Sequence, residues 1–431
     1  MQSCHHSHIF NLQRLLTNKF ISYSKDLRNK GISNSPYLYG CTWYENLSFY
    51  KLSAYINIYQ YIILIFYFFK ESFSSVLLFK YELCAPKKKK KNNFKNLYIT
   101  WNKTSDIKKK NIISNQYFYN EHFNKDINNK KNLIFSLSLS DNVYNNNTDN
   151  IYILGSNLRL NYKKIIFFFR VIVLKIIKSI FTLNIHHINI NSLIAEIVCE
   201  HIISILEKND IKNIFLRYEG QQFQSYLIFM IRKKFKNISI VGTVKSHLPV
   251  PLNLYFNLDS PDYLICDSLD QIFYLKKLGW PKKKLIYQKK SNKQKLNGIY
   301  LPFQIHNHNK IIKSFKEILN SKYGKFISGL KIFKHPNSFE PKNNILYNKL
   351  NNILNDFLKK NTKTESISNK NCKEKYSIVL GSTSAVYDCL KSNHSVIQIF
   401  DNPIFECMTK YFWPDIDFKF ITKNSVLYKL N

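Results

Sequence analysis

KNIFLRYEGQQFQSYLIFMIRKKFKNISIV, residues Lys212–Val241, decides the fold. Lys212–Arg217 reads as a buried strand, because Ile214, Phe215 and Leu216 form an unbroken apolar run. Tyr218-Glu219-Gly220 reads as a turn, Gln222–Lys233 as a helix and Ile238–Val241 as the next strand. Strands that alternate with helices of about 10–15 residues make parallel, doubly wound sheets. The same rhythm continues on both sides. Upstream lie a strand at Ile151–Leu154 and helices at Lys163–Phe181 and Ser192–Leu206. The second helix carries Ile194, Ile197, Val198, His201, Ile202 and Leu206 at helical spacing, so His201 is expected in the core. Downstream, Tyr263–Asp267 reads as a strand, and the helix Gln271–Leu278 is stopped by Gly279 and Pro281.

A second α/β unit then follows. Its strands are expected at Gly298–Phe303, at Leu330, Ile332 and Phe333, at Tyr376–Leu380 and at Ser395–Phe400. Its helices are expected at Lys310–Leu319, Ile345–Leu358 and Ala385–Leu390. The expected architecture is α/β, with two Rossmann-like domains facing across a cleft, at residues 1–285 and 286–431. The basic stretch Lys282–Leu296 is expected to link them. Residues from about 85 to 150 are rich in Lys and Asn and open with the run Lys87–Lys91. They read as an insertion with strand islands at Leu97–Trp101 and Leu133–Leu137. Residues 1–80 are the least patterned, and the opening Cys4-His5-His6-Ser7-His8 reads as a ragged, exposed start.

Composition narrows the function classes. The 431 residues carry 45% hydrophobic side chains and 33 Phe, which supports two cores and excludes a disordered chain. The formal net charge is +36. Lys, Asn, Ile, Tyr and Phe are inflated together, as an AT-rich coding sequence would produce, and no nucleic-acid-binding signature accompanies the charge. Attraction to anionic lipid or to nucleotide phosphate accounts for it as well, and no specific nucleic acid is expected as a partner. The eight cysteines include no Cys-x-x-Cys pair, so neither a zinc site nor a disulfide framework is expected. Cys199, Cys266 and Cys389 sit in apolar runs and read as buried thiols of a reducing compartment. The start shows no secretory pattern. The apolar run Tyr61–Phe69 is too short to span a bilayer, and Ile165–Leu183 is interrupted by Arg170, Lys175 and Lys178. That second run is either a core helix with a basic solvated edge or a helix lying in the membrane interface.

Three places can carry chemistry. Glu219-Gly220 ends a strand ahead of a helix, where glycine permits an unusual turn and a carboxylate can act as general base toward a hydroxyl. A glutamate that only complements the helix dipole fits the same pattern. His335-Pro336 ends another strand, since proline stops the ladder and biases the histidine to extended backbone. Ligands of open α/β sheets bind at that carboxyl edge, although an ordinary strand exit would look the same. Gly381-Ser382-Thr383-Ser384 joins a strand to a helix start, which fits either an anion site or simple capping. It lacks the lysine of a P-loop. Together the three place a base on one wall of a cleft and a nucleotide phosphate on the other.

In this order the motifs resemble the bacterial GT-B glycosyltransferases of surface polysaccharide (capsule and lipopolysaccharide) biosynthesis, a group that includes sialyltransferases and Kdo transferases. Tyr218-Glu219-Gly220-Gln221-Gln222-Phe223, followed by Val241-Gly242 and Ser246-His247, is most similar to an uncharacterised branch of surface carbohydrate biosynthesis proteins. The likeness covers about residues 190–400. It implies that Glu219 deprotonates the acceptor hydroxyl and that His335 contacts the donor phosphate. It implies donor binding by Gly220, Lys334, Pro336, Gly381, Ser382, Thr383 and Ser384, with His247 on the acceptor side. The sialyltransferases carry two acids before the glycine, and here the first is Tyr218, which bears on the donor sugar. The implied enzyme moves a sugar, with CMP-sugars among the candidate donors, to a glycan or lipid-linked glycan acceptor at the cytoplasmic membrane face. It needs no metal or cofactor. The single Asp-x-Asp, Asp415-Ile416-Asp417, follows Trp413-Pro414 rather than a strand that would aim it at a donor. The alternatives are a nucleotide-sugar epimerase, a polyol-phosphate transferase, and a non-catalytic basic protein that binds membrane or nucleic acid.

Overall fold

The computed structural model describes residues 2–27, 62–63, 65–66, 68–70, 81–85, 94–101, 132–142, 150–156, 162–182, 190–220, 222–244, 247, 249–288, 298–302, 305, 307–327, 330–334, 341–361, 375–381 and 383–430. Helix α1, Gln2–Leu27, opens the chain. The chain divides into two compact units: Phe20–Lys245 with Asn253–Lys290, and Met1–Lys19 with Ser246–Leu252 and Ser291–Asn431. Each has its own sheet, and helices alternate with strands in both, which makes this a two-domain α/β protein.

The first unit holds strands β1 Tyr81–Cys84, β2 Asn96–Trp101, β3 Asn132–Asn142, β4 Ile151–Ser156, β5 Asn213–Arg217, β6 Ser239–Thr243, β7 Tyr263–Cys266 and β8 Leu285–Tyr287. They lie in the order β1-β4-β3-β2-β5-β6-β7-β8. All neighbours are parallel except β1 against β4. Successive strands step one way from β2 through β4 and the other way from β5 through β8. The sheet therefore reverses direction between β2 and β5, and ligands of open α/β sheets bind outside the strand ends at such a point.

Side chains fix the register at the centre. Asn96 and Asn213 start paired strands, and Asn96 and Asn132 do the same on the other side. Asn96 Nδ2 donates to Asn132 Oδ1 at 3.1 Å, and Asn213 Nδ2 donates to Asn96 Oδ1 at 3.0 Å. A one-residue slip would break this ladder and turn every core side chain to the wrong face. Helices α2 Tyr162–Thr182, α3 Ile190–Leu206, α4 Gln222–Lys234 and α5 Leu269–Lys277 belong to this unit. Ser268 caps α5 by accepting from Gln271 N, and Gly279 takes φ +90° just beyond it. The expected stop is there, because only glycine enters that region without strain. His201 is half-buried beside the core residues Ile202 and Leu206.

Two expectations for this unit change. Part of the basic stretch expected as a linker is strand β8, paired with β7. It is an edge strand with Ile286 and Tyr287 exposed, and Lys282 and Lys283 just before it are exposed too. Helix α2 does not carry the expected basic solvated edge at Lys175. That side chain is buried, with Nζ 2.6 Å from Glu196 on α3.

The second unit holds β9 Ile299–Tyr300, β10 Ile332–Phe333, β11 Lys375–Leu380, β12 His394–Ile399, β13 Ile416–Thr422 and β14 Ser425–Leu430. Their order is β10-β9-β11-β12-β14-β13. The first four are parallel, while β14 runs antiparallel to both β12 and β13. The reversal point lies between β9 and β11. Helices α6 His308–Leu319, α7 Pro341–Asn361, α8 Ala385–Lys391 and α9 Pro403–Glu406 complete the unit. Ile311, Phe315 and Ile318 of α6 pack with Leu350 of α7 and with Ile378 and Ile397 of the sheet. Each such burial contributes on the order of 1.5–3 kcal/mol.

The strand expected before His335 is a two-residue strand at the sheet edge. Phe333 is exposed on that edge and stacks on Tyr300 at 5.3 Å. The expected ragged start is instead part of α1. Ile9, Gln13 and Thr17 recur every four residues and are buried in this unit. Gln13 Nε2 donates to the carbonyls of Ile404 (2.8 Å) and Cys407 (2.9 Å), and its Oε1 accepts from Thr409 Oγ1 (2.7 Å). A polar residue at the centre of the docked stripe hid this helix from a search for apolar periodicity.

Candidate functional site

Each unit presents chemistry at its own reversal point. In the first, β5 ends at Arg217, and Tyr218, Glu219 and Gly220 follow. The turn is clamped by Gln224 in the first turn of α4. Gln224 Nε2 donates to Arg217 O at 2.5 Å, and Gln224 Oε1 accepts from Glu219 N at 3.0 Å. Strand alternation sends Tyr218 inward, where its ring meets Trp280 edge-on at 6.2 Å. Space for it comes from Gly242 on the neighbouring strand, where an added Cβ would lie 2.8 Å from the Tyr218 Cβ. Burial raises the Tyr218 phenol well above its ordinary pKa. A carboxylate at position 218 would have to be buried in that core.

Glu219 points the other way and is partly exposed, ion-paired with the Arg217 guanidinium. The carboxylate is thus oriented at the edge by a neighbour on its own strand end. Gly220 takes φ +65°. A Cβ there would sit 1.9 Å from the Asn253 carbonyl oxygen, so the glycine is dictated by close backbone approach as well as by the turn.

In the second unit, β11 ends at Leu380, and Gly381 takes φ +62°. Gly381 N donates to Ile399 O at 2.8 Å, and its carbonyl accepts from Gln398 Nε2 at 2.7 Å. Gln398 is fully buried, also donates to Glu406 O at 3.0 Å, and accepts from the Tyr428 hydroxyl at 3.0 Å. This network anchors the loop from below. Thr383 and Ser384 are half-buried at the start of α8, and Thr383 Oγ1 accepts from Ala385 N at 3.3 Å. The facing loop is that after β9, since an added Cβ on Gly381 would lie 3.1 Å from Pro302 Cγ. Strand β10, adjacent to β9, leads to His335. His335, Pro336 and Ser382 lie outside the described residues. Lys334 is exposed, with Nζ 2.8 Å from Asn344 Oδ1 and 4.1 Å over the Tyr347 ring.

His247 groups with this second unit. Its buried ring stacks on Tyr387 of α8 at 4.3 Å, lies 6.2 Å from the Trp413 ring, and has Nδ1 4.0 Å from Asp388 Oδ1. The structure therefore brings His247 to the same short helix that the Gly381–Ser384 loop begins. Trp413 Nε1 donates to Pro249 O at 2.9 Å and fixes that segment in place. Asp417, of the Asp-x-Asp pair, lies on the sheet-edge strand β13, 2.9 Å from Lys410 Nζ.

Several residues near the second reversal point carry no signal in the sequence. Lys310, in the first turn of α6, donates through Nζ to Asp401 O at 2.5 Å, and Asp401 Oδ2 accepts from Asn307 N at 3.1 Å. Glu406 Oε2 accepts from Asp401 N at 2.8 Å. Burial pushes the Glu406 carboxyl up to about 8 from an ordinary 4.5. The folded protein then keeps a proton that the unfolded chain releases first, so stability falls as pH rises from about 4.5 to about 8. Urea melts at pH 5 and pH 8 should show that loss, and Glu406→Gln should flatten it. An unchanged pH slope in the variant would assign the dependence elsewhere. Among the described residues Cys199, Cys266, Cys389 and Cys407 are buried free thiols. Burial pushes Cys266, Cys389 and Cys407 each to about 12, too high for nucleophiles at neutral pH.

No family model matches the chain, and no curated protein matches it.

Proposed function

We propose that the protein is a GT-B glycosyltransferase that moves a sugar from a nucleotide-activated donor to a surface-glycan acceptor. The observation that carries this reading is the coincidence of chemistry with topology. In both units the described residues of these motifs, Glu219-Gly220 and Gly381, Thr383 and Ser384, lie at the carboxyl end of a strand bordering the reversal point. Thr383 also caps α8 and Glu219 also pairs with Arg217, so what supports the reading is that both motifs fall at a reversal point.

In the proposed reaction Glu219 accepts the proton of the acceptor hydroxyl as that oxygen bonds to the anomeric carbon. The bond from that carbon to the donor phosphate oxygen breaks, and the nucleotide leaves with the electron pair. The hydroxyls of Ser382, Thr383 and Ser384 and the His335 imidazole donate hydrogen bonds to the departing phosphate, where negative charge grows. Gln398 and Gly381 hold that loop in its shape.

Thermal denaturation with CMP- and UDP-sugars tests the reading. A donor at 100 times its Kd should stabilise the protein by about 2.7 kcal/mol, a shift of several degrees. If millimolar CMP, UDP and their sugars all leave Tm unchanged, the proposal fails. Nucleotide release that needs no acceptor would instead support the epimerase.

A further inference from the structure

We propose that helix α2 and the helical residues 62–63, 65–66 and 68–70 form a surface that lies in the interface of an anionic lipid bilayer. Helix α2 is arranged inside out. The side it turns to the protein holds Ile172, but also Lys175 and Ser179, all buried. The side it turns outward holds Ile166, Phe169, Leu174, Ile177, Ile180 and Phe181, every one exposed, Phe181 by 85%. At about 100° per residue these six fall within an arc of roughly 140°. A soluble surface helix shows the opposite pattern.

The strip does not stop at α2. Residues 62–63, 65–66 and 68–70 are helical, and Ile62, Ile63, Phe66 and Phe69 are exposed. Phe69 meets Phe169 edge-on, with ring centroids 6.4 Å apart, which joins the two helices into one apolar patch. Contiguous exposed patches of this kind mark a partner surface.

Charge selects the partner. Residues 62–70 and 162–182 contain no Asp or Glu, and their charged residues are Lys70, Lys163, Lys164, Arg170, Lys175 and Lys178. Lys175 is turned inward to Glu196, while Arg170 and Lys70 are exposed. Arg170 falls within the arc of the strip, between Ile177 and Phe181 on the wheel, and its long stem can carry the charge back to the headgroups. An apolar strip whose own charged residues are all cations complements anionic headgroups over acyl chains. A second copy of the same face would oppose cation to cation, which disfavours self-association. Among the described residues no helix is long and apolar enough to cross a membrane, so α2 would lie in the surface plane. This surface does not depend on the transferase reading.

Flotation of the full chain tests it, with vesicles of phosphatidylcholine alone and of phosphatidylcholine with 30 mol% phosphatidylglycerol, in low salt. The wild type should float with the anionic vesicles at least tenfold more than with the neutral ones. Ile177→Asp/Phe181→Asp, with a circular-dichroism melt to confirm folding, should lose at least tenfold of that binding. Phe181→Trp should shift its emission to the blue on anionic vesicles and be quenched by brominated acyl chains. No flotation of wild type with anionic vesicles overturns the proposal, as does equal flotation of the double variant. Tryptophan emission that ignores brominated lipid also overturns it, because contact through headgroup charge alone would leave the strip in water. A wild-type dimer in solution that the double variant abolishes would assign the patch to self-association instead.

Discussion

Glu219→Gln is expected to lower sugar transfer by about 10²–10⁴-fold while leaving nucleotide binding intact. The amide keeps the shape of the carboxylate but cannot take a proton at neutral pH. The Gln224 clamp on the Arg217–Glu219 turn uses backbone atoms of those residues, so the turn keeps its shape in the variant. The change does remove the ion pair with Arg217. Both side chains are only about a quarter exposed, so that loss lies between the roughly 0–1 kcal/mol of a surface pair and the roughly 3–5 kcal/mol of a buried one, and a urea melt of the variant separates it from a catalytic defect. His335→Ala makes the comparison decisive. A phosphate contact predicts weaker nucleotide binding together with slower turnover, whereas the base predicts a rate defect alone. Steady-state kinetics and nucleotide titration of both variants separate the two patterns. Folded Glu219→Gln protein with undiminished transfer would remove this residue from the mechanism.

Gly220→Ala should destabilise the first unit by about 3 kcal/mol or more, read as a lower urea midpoint. The positive φ alone costs an alanine roughly 1–2 kcal/mol. The rest comes from a methyl carbon 1.9 Å from the Asn253 carbonyl, a backbone atom that cannot rotate away. Gly381→Ala is the control. It meets a similar φ of +62°, but its nearest neighbour is a proline side chain at 3.1 Å. Its loss should stay near the conformational cost of about 1–2 kcal/mol. Equal midpoints for the two variants would show that the backbone at residue 253 yields, and that the turn alone asks for the glycine.

The two glycines show how much of the site was legible. Both could be read as special because they stand between a strand pattern and a helix pattern, and that is local information. Why Gly220 tolerates nothing larger was not legible, since Asn253 approaches it from 33 residues away. Tyr218 is similar. Its departure from the two-acid pattern is visible in the chain, while its place against Trp280 and the room left by Gly242 are not. His335, Pro336 and Ser382 were read from the sequence and lie outside the described residues. Lys310, Asp401 and Gln398 gave no sign, because they join the second reversal point through backbone atoms 91, 94 and 17 residues away, and Glu406 stands out only once the fold has buried it.

By itself the sequence determined the alternation of strand and helix, the two α/β units and the apolar character of α2. Each follows from side-chain periodicity over ten to twenty residues, where chain geometry dictates which positions share a face. Only the tertiary structure decided the strand order. That order rests on pairings such as Asn96 with Asn213, held by a side-chain ladder across more than a hundred residues. The strand order is what puts Glu219 at one reversal point and Gly381 at another. The structure also decided which way α2 faces. Lys175 is turned inward, where it pairs with Glu196 of a separate helix, and the apolar side of α2 lies outward.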